Sequence, residues 1–361
     1  MALAAHRALL KYGDNKFEIS WIVNEKNYRL IEELTIASLP HTQIECNHPI
    51  DVRKPSLGAI RRVISLLRKF RELKPDLILF LQGGIVASYA GILAARLSDS
   101  NFCSYIPMAP RSTELAPYRF PRIWNAFRSI YFRLVPRYIT IDQTQAFNIR
   151  REHRRATVRI VENYISPSSV MKVSRKDARS YLDLPEDMSV IAVLGRIEFG
   201  QKAQDWLVTE LGHDSFLCDK VLFIVGEGPD APHLKNLLAT LPYARNIRLT
   251  DWHNNMDEIY SAVDLILIPS RSEGVPLVML EALSRRIPVV GTDRDGMASW
   301  LPAEWKFPFG DIVRMKDAIE RALKDSAIDW SQIETHLSRV TDERRFAQEF
   351  QAALDEYSRS F

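Results

Sequence analysis

Short apolar runs rich in β-branched residues alternate with segments of helical periodicity along the whole sequence, and this alternation limits the possible folds more than any other feature. Strands separated by helices pair in parallel, with helices covering the sheet. The first half predicts strands at 17–23, 76–81, 102–106, 138–142 and 158–161, and helices at 57–73 and 85–97. The second half predicts strands at 190–194, 221–225, 247–250, 263–268 and 288–291, and helices at 204–211, 232–241, 256–262 and beyond 312.

The length of 361 residues exceeds one ordinary domain, so two domains are expected. The polar, turn-rich segment 163–169 is the best linker candidate. We predict an α/β protein of two Rossmann-like, doubly wound parallel-sheet domains that face each other across a cleft. Residues 1–166 form the N-terminal domain, 167–340 the C-terminal domain, and 341–361 a helix that packs back on the N-terminal domain.

Hydrophobic residues make up 46% and charged residues 26% of the chain, as in soluble globular proteins. No apolar run reaches the roughly 18 residues that cross a bilayer, and a basic residue interrupts the N-terminal apolar segment too early for a signal peptide. We therefore expect a cytoplasmic protein. Cys46, Cys103 and Cys218 lie far apart without CxxC spacing, which favours buried thiols over disulfides or a zinc site.

The segment 111–159 concentrates positive charge, with eleven arginines against three acidic residues. Aromatic residues are interleaved with the arginines, and a helix at 121–134 would carry both. Such a helix suits an anionic membrane surface, whereas an ordinary amphipathic helix would bury the aromatics in the core. Both interpretations stay open, and the first predicts a peripheral position at the inner face of the cell membrane.

The segment 265–281 joins a buried strand to a loop and a helix, and it spaces two glutamates across them. Pro269 ends the strand, and Pro276 fits the first position of the helix. Glu273 therefore lies in the loop and Glu281 on the helix.

The start of this helix leaves the backbone amides of Gly274, Val275 and Leu277 free to bind an anion such as a phosphate. The carboxylates of Glu273 and Glu281 suit a different task, because they can accept hydrogen bonds from sugar hydroxyls. A nucleotide sugar offers both kinds of group. The alternative is that Glu273 caps the helix and Glu281 is a solvated surface residue.

A second group of candidates follows the strand at 190–194. Gly195 ends the strand, and Arg196 and Lys202 lie in or just after the next loop. An arginine fork and a mobile lysine can converge on one diphosphate. Taken singly, both would more often be solvated surface charges.

Residues 226–231 formally match the GxGxxA fingerprint of a dinucleotide site, which is the basis of a rival interpretation as an NAD(P)-dependent oxidoreductase. The match follows the second strand of its domain and contains Pro229, so a turn is favoured. Asp293 and Asp295 form a DxD pair without further carboxylates, which favours an ordinary loop over a metal site. The sequence contains no P-loop and no HExxH motif.

Four motifs together resemble the retaining glycosyltransferases of family 4, which have the GT-B fold. They are Gly195-Arg-x5-Lys202, Gly226-Glu-Gly-Pro, Ala262-Val-Asp-Leu-x-Leu-Ile-Pro-Ser270 and Glu273-Gly-Val-Pro-x4-Glu-Ala282. Their order and spacing match the family over about residues 188–300, and the first half matches more loosely at 74–78 and 161–167.

The resemblance implies roles for these residues in binding a nucleoside-diphosphate sugar. Arg196 and Lys202 would hold the diphosphate. Glu273 and the amides of Gly274 and Val275 would hold the sugar, and Glu281 would hold the ribose. The family is thought to retain anomeric configuration by a front-face route without a protein nucleophile, and its members need no metal. We expect no cofactor besides the donor, and no nucleic-acid partner.

We therefore predict an enzyme that moves a hexose from a UDP- or GDP-linked sugar to a glycan or lipid-linked acceptor, in bacterial cell-envelope polysaccharide synthesis. A non-catalytic sugar-nucleotide-binding subunit is the main alternative. Because residues 1–12 match the family's first helix, we expect its first strand and glycine-rich loop to be missing from this sequence. Either the true start lies upstream, which is the favoured explanation, or the chain has lost part of the site. Ala203 stands where the family has a glycine, and Pro107 begins a segment where it often has a histidine.

Overall fold

The computed structural model describes residues 2–13, 17–25, 27–44, 57–83, 88–109, 121–165, 173–253, 255–324 and 330–359. Within these residues every strand pairing is parallel. The structure therefore confirms the predicted α/β class with two parallel-sheet domains.

The N-terminal domain is built from short strands and the helices that connect them. Its described strands are β1 (Trp21–Asn24), β2 (His41–Ile44), β3 (Ile78–Leu81), β4 (Phe102–Tyr105), β5 (Arg137–Thr140) and β6 (Thr157–Ile160). Its described helices are α1 (Ala2–Tyr12), α2 (Tyr28–Ile36), α3 (Leu57–Leu73), α4 (Tyr89–Leu97), α5 (Pro121–Leu134) and α6 (Gln143–Glu152).

The N-terminal strands form two separate sheets, a β1–β2 pair and a four-stranded sheet in the order β3-β4-β5-β6. All of β4 is buried, whereas β3 is only partly buried and its last residue, Leu81, is 38% exposed. Both β1 and β3 pair on one side only, and no strand of the described residues lies between the two sheets.

The C-terminal domain continues the alternation. Its strands are β7 (Ser189–Leu194), β8 (Lys220–Val225), β9 (Ile247–Thr250), β10 (Leu265–Ile268), β11 (Val289–Thr292) and β12 (Lys306–Phe307). Its helices are α7 (Arg175–Tyr181), α8 (Phe199–Lys202), α9 (Gln204–Gly212), α10 (Ala231–Leu238), α11 (Met256–Ala262), α12 (Leu277–Ser284), α13 (Asp295–Trp300), α14 (Ile312–Lys324) and α15 (Ser331–Val340), followed by α16 (Glu343–Arg359).

The order of the second sheet is β12-β11-β10-β7-β8-β9. The first strand, β7, lies between β10 and β8, so the connections leave it in opposite directions. Loops that diverge at such a point open a crevice at the carboxyl ends of the strands, where α/β proteins bind ligands. The loops after β7 and β10, which carry the candidate residues, border this crevice.

A buried ion pair holds the start of β10. Asp264 accepts a hydrogen bond from Arg179 at 2.6 Å and from the Val190 amide at 2.7 Å. The Arg179 side chain is only 1% exposed. Its guanidinium also donates to four carbonyl oxygens, those of Ala262, Pro185, Glu186 and Met188. The single polar residue of the predicted strand at 263–268 thus anchors the strand.

Helix α16 lies against the N-terminal domain. The Tyr357 hydroxyl donates to the Tyr138 carbonyl at 2.9 Å, and Asn101 donates to the Tyr357 carbonyl at 2.5 Å. At the other end of the helix, Lys11 pairs with Glu343 at 2.7 Å. These contacts tie the end of the chain to β4, β5 and α1.

The basic segment 111–159 is only partly described, because residues 110–120 lie outside the described ranges. Three of its aromatics, Tyr131, Phe132 and Tyr138, are buried in the N-terminal core, as the ordinary amphipathic interpretation of this segment expects. Among the described helices, none combines the length and the hydrophobicity of a membrane span.

Most predicted strands and helices occur within a few residues of their predicted bounds. Seven elements have no counterpart among the predictions from sequence: α2, β2, α6, α7, α8, α13 and β12. The predicted helix at 85–97 is described only from Tyr89 onward, and the linker candidate 163–169 only to residue 165.

Candidate functional site

Glu273 lies in the loop between β10 and α12, as predicted, and it is only 5% exposed. Its Oε1 accepts hydrogen bonds from Lys202 Nζ at 2.5 Å and from Ser270 Oγ at 2.6 Å. Its backbone amide donates to Asp295 Oδ2 at 2.8 Å. A buried carboxylate requires such partners, and here they fix its orientation at the carboxyl edge of the sheet.

Two side chains of the N-terminal domain donate hydrogen bonds to backbone carbonyls of the loop that contains Glu273. Asn163 Nδ2 donates to the Val275 carbonyl at 2.9 Å, and Gln145 Nε2 donates to the Glu273 carbonyl at 3.5 Å. A Cβ atom on Gly274 would lie 2.5 Å from the Pro107 carbonyl oxygen, so only glycine permits this approach.

The amides of Gly274, Val275 and Leu277 donate to no acceptor in the part of the chain that the structure describes. Leu277 is the first residue of α12, and the other two lie just before it, near the helix end whose dipole favours a negative charge. The arrangement combines amides that can bind an anion with a carboxylate that can accept hydroxyl groups.

Asp295, the first residue of α13, braces this loop. It adopts a left-handed backbone with φ +49°, and Gly296 beside it donates its amide to the Gly274 carbonyl at 3.0 Å. The other acid of the DxD pair, Asp293, instead pairs with Lys306 at 3.3 Å. The two carboxylates therefore serve different partners, and within the described residues no group of three His, Cys, Asp or Glu side chains could hold a metal ion. The motif had suggested a plain loop, and the role of Asp295 could be seen only in the fold.

Glu281 lies on α12, as predicted, and is partly buried. The hydroxyl of Tyr260, on α11, donates to Glu281 Oε2 at 2.7 Å. Glu281 is therefore not a freely solvated surface residue. Burial, and then the neighbouring carboxylate, raises the pKa of Tyr260 well above its ordinary value, so the hydroxyl remains a donor.

The loop after β7 brings Lys202 to Glu273, and it leaves Arg196 apart. Gly195 has φ +131°, a conformation that favours glycine. The Arg196 side chain is 65% exposed and lies 3.5 Å from Glu198. In this structure the two cations have different carboxylate partners.

The glycines of the 226–231 turn are explained by packing against this same loop. A Cβ atom on Gly226 would lie 1.8 Å from the Gly195 carbonyl oxygen, and one on Gly228 would lie 2.1 Å from that of Ile197. The Ile197 amide also donates to the Glu227 carbonyl at 2.9 Å. The apparent dinucleotide fingerprint is thus a turn that supports the Gly195 loop.

Ala203 has a left-handed backbone with φ +56° between α8 and α9. Glycine adopts this conformation without strain, whereas alanine pays a steric cost of about 1 kcal/mol. The glycine that the resemblance expects at this position is therefore understandable from the backbone.

A crevice of about 500 Å³ lies beside the loop, at the junction of the two domains. Asp142, Asn163, Val275, Trp300 and Arg345 are among its lining residues. Asp142 Oδ1 caps α6 by accepting from the Gln145 amide at 2.7 Å. Its Oδ2 is buried without a hydrogen-bond partner among the described residues, and burial raises the pKa of this carboxyl.

Two parallel-sheet domains that face each other, with a ligand-binding edge on the second sheet, define a GT-B glycosyltransferase fold. Residues 189–325 match the family described as "Glycosyl transferases group 1". The C-terminal part of this chain is therefore a glycosyl transferases group 1 domain.

Known proteins with similar sequences or structures point the same way. The chain is 25% identical over 311 residues to 2-deoxystreptamine N-acetyl-D-glucosaminyltransferase of Streptomyces fradiae, covering 81% of this chain and 73% of that protein. It is 24% identical over 230 residues to the lipopolysaccharide core biosynthesis glycosyltransferase LpsE of Rhizobium meliloti, covering 61% of this chain and 65% of that protein. The crystal structure of HepE from Anabaena in complex with UDP and glucose superposes with a TM-score of 0.76 at 16% identity, covering 98% of this chain and 95% of that one.

Proposed function

We propose that this protein is a retaining glycosyltransferase that transfers a hexose from a UDP- or GDP-linked sugar to a glycan or lipid-linked acceptor. The observation that carries the proposal is the buried Glu273 carboxylate beside the unbonded amides of the Gly274 loop, at the carboxyl edge of the sheet. The hydroxyls of a sugar nucleotide can donate to the carboxylate, and its phosphate oxygens can accept from the amides. The likeness to glycosyltransferases, one of them crystallised with UDP and glucose, supports this ligand class.

The proposed chemistry is a substitution at the anomeric carbon of the donor. The bond from this carbon to the β-phosphate oxygen breaks, and a bond to the acceptor oxygen forms on the same face. The acceptor proton passes to the departing phosphate, so no protein nucleophile or metal ion is used. Catalysis then consists of positioning the donor and stabilising the charge on the leaving diphosphate.

Lys202 has a double role in this scheme. Without ligand it neutralises Glu273 at 2.5 Å. A bound diphosphate offers this mobile ammonium a stronger negative charge, and a sugar hydroxyl can replace it at the carboxylate. We propose that Arg196, which is exposed in the loop after β7, adds a second contact to the diphosphate. The ribose is assigned to Glu281.

The decisive test is turnover by the purified full chain with UDP-glucose, UDP-N-acetylglucosamine, UDP-galactose and GDP-mannose, measured as release of the nucleoside diphosphate. We expect one donor to be consumed, and Glu273→Gln to lower the rate by about 100-fold. Glu334→Gln, on an exposed glutamate of α15, is the matched control and should keep the wild-type rate. Melting temperatures of all three proteins show whether any variant has unfolded.

Each outcome of this test has a distinct meaning. Wild-type turnover by Glu273→Gln would refute the assigned site. Donor binding without turnover would favour the non-catalytic sugar-nucleotide-binding subunit. For an active enzyme, NMR of the first product anomer distinguishes retention from inversion.

We also propose that the enzyme acts in cell-envelope polysaccharide synthesis on the cytoplasmic side, with its basic segment 111–159 against an anionic membrane. Of this segment's described residues, Ile130 is 54% exposed on α5 and Arg133 is exposed one turn later. The similarity to a lipopolysaccharide core glycosyltransferase supports such an acceptor. Co-sedimentation of the full chain with liposomes tests the contact, and equal binding to neutral and anionic vesicles would exclude it.

A further inference from the structure

Helices α11 and α12 are joined by two polar side-chain pairs next to the proposed donor site. Tyr260 and Asp257 lie one turn apart on α11, and Glu281 and Arg285 lie one turn apart at the end of α12. The Tyr260 hydroxyl donates to Glu281 Oε2 at 2.7 Å, and Arg285 Nη2 donates to Asp257 Oδ1 at 2.8 Å.

One oxygen of the Glu281 carboxylate is held by Tyr260, and the other is available to a ligand. The Tyr260 residue is 1% exposed, so the position of its hydroxyl is set by the core. The Arg285 guanidinium lies 4.5 Å from the centre of the Tyr260 ring, and Arg285 Nη1 donates to the Glu281 carbonyl at 3.0 Å. Oε2 of Glu281 is therefore held from the interior, whereas no hydrogen bond to Oε1 is found among the described residues.

An ordered carboxylate binds hydroxyl groups better than a mobile one. A glutamate with free rotamers loses that freedom when it accepts a ligand hydrogen bond, and the loss opposes binding. A glutamate already held by a buried tyrosine has lost this freedom in the free protein.

We propose that Tyr260 is a positioning residue that holds Glu281 for the ribose hydroxyls of the donor and so makes the site selective for ribonucleotides. The inference rests on the proposed function, since it assumes a nucleoside-diphosphate ligand at this site. The alternative is that the pair only joins α11 to α12 and has no effect on the ligand.

Ribose selectivity separates these two roles, because a structural defect weakens all nucleotides alike. Isothermal titration of the full chain with UDP and GDP identifies the nucleoside diphosphate that binds more tightly. The same nucleotide and its 2′,3′-dideoxy analogue are then titrated into the wild type, Tyr260→Phe, Glu281→Ala and the double variant. Tyr243→Phe is the matched control, because this tyrosine belongs to the same domain and lies outside the site.

We expect the wild type to bind the ribonucleotide about tenfold more tightly than the dideoxy analogue, because the analogue leaves Glu281 without a partner. Tyr260→Phe should reduce this ratio to about twofold to threefold while leaving the affinity for the analogue within about twofold of the wild type. Glu281→Ala should abolish the preference, and adding Tyr260→Phe to it should change nothing further. Tyr243→Phe should keep the wild-type ratio.

A wild-type ratio in Tyr260→Phe would overturn the proposal. So would a loss of affinity of equal size for both nucleotides, because that pattern identifies a structural role. If the wild type binds neither UDP nor GDP, the proposed function itself fails, and this result is distinct from a change in the ratio.

Discussion

Replacing Arg179 by methionine should destabilise the C-terminal domain far more than the same change at Arg175, although both arginines pair with Asp264. Both ion pairs have a separation of 2.6 Å. The Arg179 side chain is 1% exposed, whereas that of Arg175 is 57% exposed. The comparison therefore isolates burial from the chemistry of the pair.

The size of the effect follows from the groups that Arg179→Met leaves without a donor. Four carbonyl oxygens lose a hydrogen bond from a charged group, and Asp264 loses its buried partner. Breaking one half of a buried ion pair costs about 3–5 kcal/mol. An exposed pair contributes no more than about 1 kcal/mol, which sets the expectation for Arg175→Met.

Urea denaturation followed by circular dichroism, together with calorimetry, measures these differences. For a domain of this size, each kcal/mol lowers the melting temperature by about 2–4 °C, so Arg179→Met should lower it by roughly 6–20 °C. Asp264→Asn combined with Arg179→Met should cost less than the sum of the single changes, since they share one interaction. Equal destabilisation by the two methionine variants would refute the reasoning.

Two further predictions concern thiol chemistry and pH. Burial raises the pKa of the Cys103 thiol to about 12, so only about one part in ten thousand is thiolate near pH 8. In the native protein, iodoacetamide should therefore modify the exposed Cys218, and it should modify Cys103 only after unfolding. Peptide mass spectrometry measures both modifications. Burial also raises the pKa of the Asp142 carboxyl, so the folded chain binds the carboxyl proton more tightly than the unfolded chain does. The free energy of unfolding therefore falls as the pH rises from the ordinary carboxyl pKa through the raised pKa of Asp142. Asp142→Asn keeps a helix-capping side chain and removes the titration. Its unfolding free energy relative to the wild type should therefore increase between about pH 4 and pH 8, and a pH-independent difference would contradict this account.

The sequence predicted the five longer strands of the C-terminal domain well because their signals are local. Strands such as β8 and β10 are continuous apolar runs that a sheet covered on both faces requires, and Pro269 ends β10 where the chain must turn. In the N-terminal domain, β2 has the sequence His-Thr-Gln-Ile and no comparable apolar pattern. Its pairing with β1 depends on a neighbouring strand, which no local signal indicates.

The same distinction between local signals and long-range contacts applies to the candidate site. The sequence by itself determined that Glu273 lies in a loop followed by free amides, and that Glu281 lies on a helix. Both could be predicted because the ends of strands and the starts of helices have local sequence signals. Only the tertiary structure decided the partners of these residues. Lys202, 71 positions before Glu273, donates a hydrogen bond to it, whereas Arg196 pairs with Glu198. Asn163 reaches Val275 across 112 positions.

Such long-range pairings depend on the order of strands in the sheet and on the packing of the two domains against each other. Spacing along the chain contains no information on either. Glu273 and Glu281 could thus be found from residue types and short spacings. Their contacts with Asp295 and Tyr260 follow from side chains that meet only when the chain has packed.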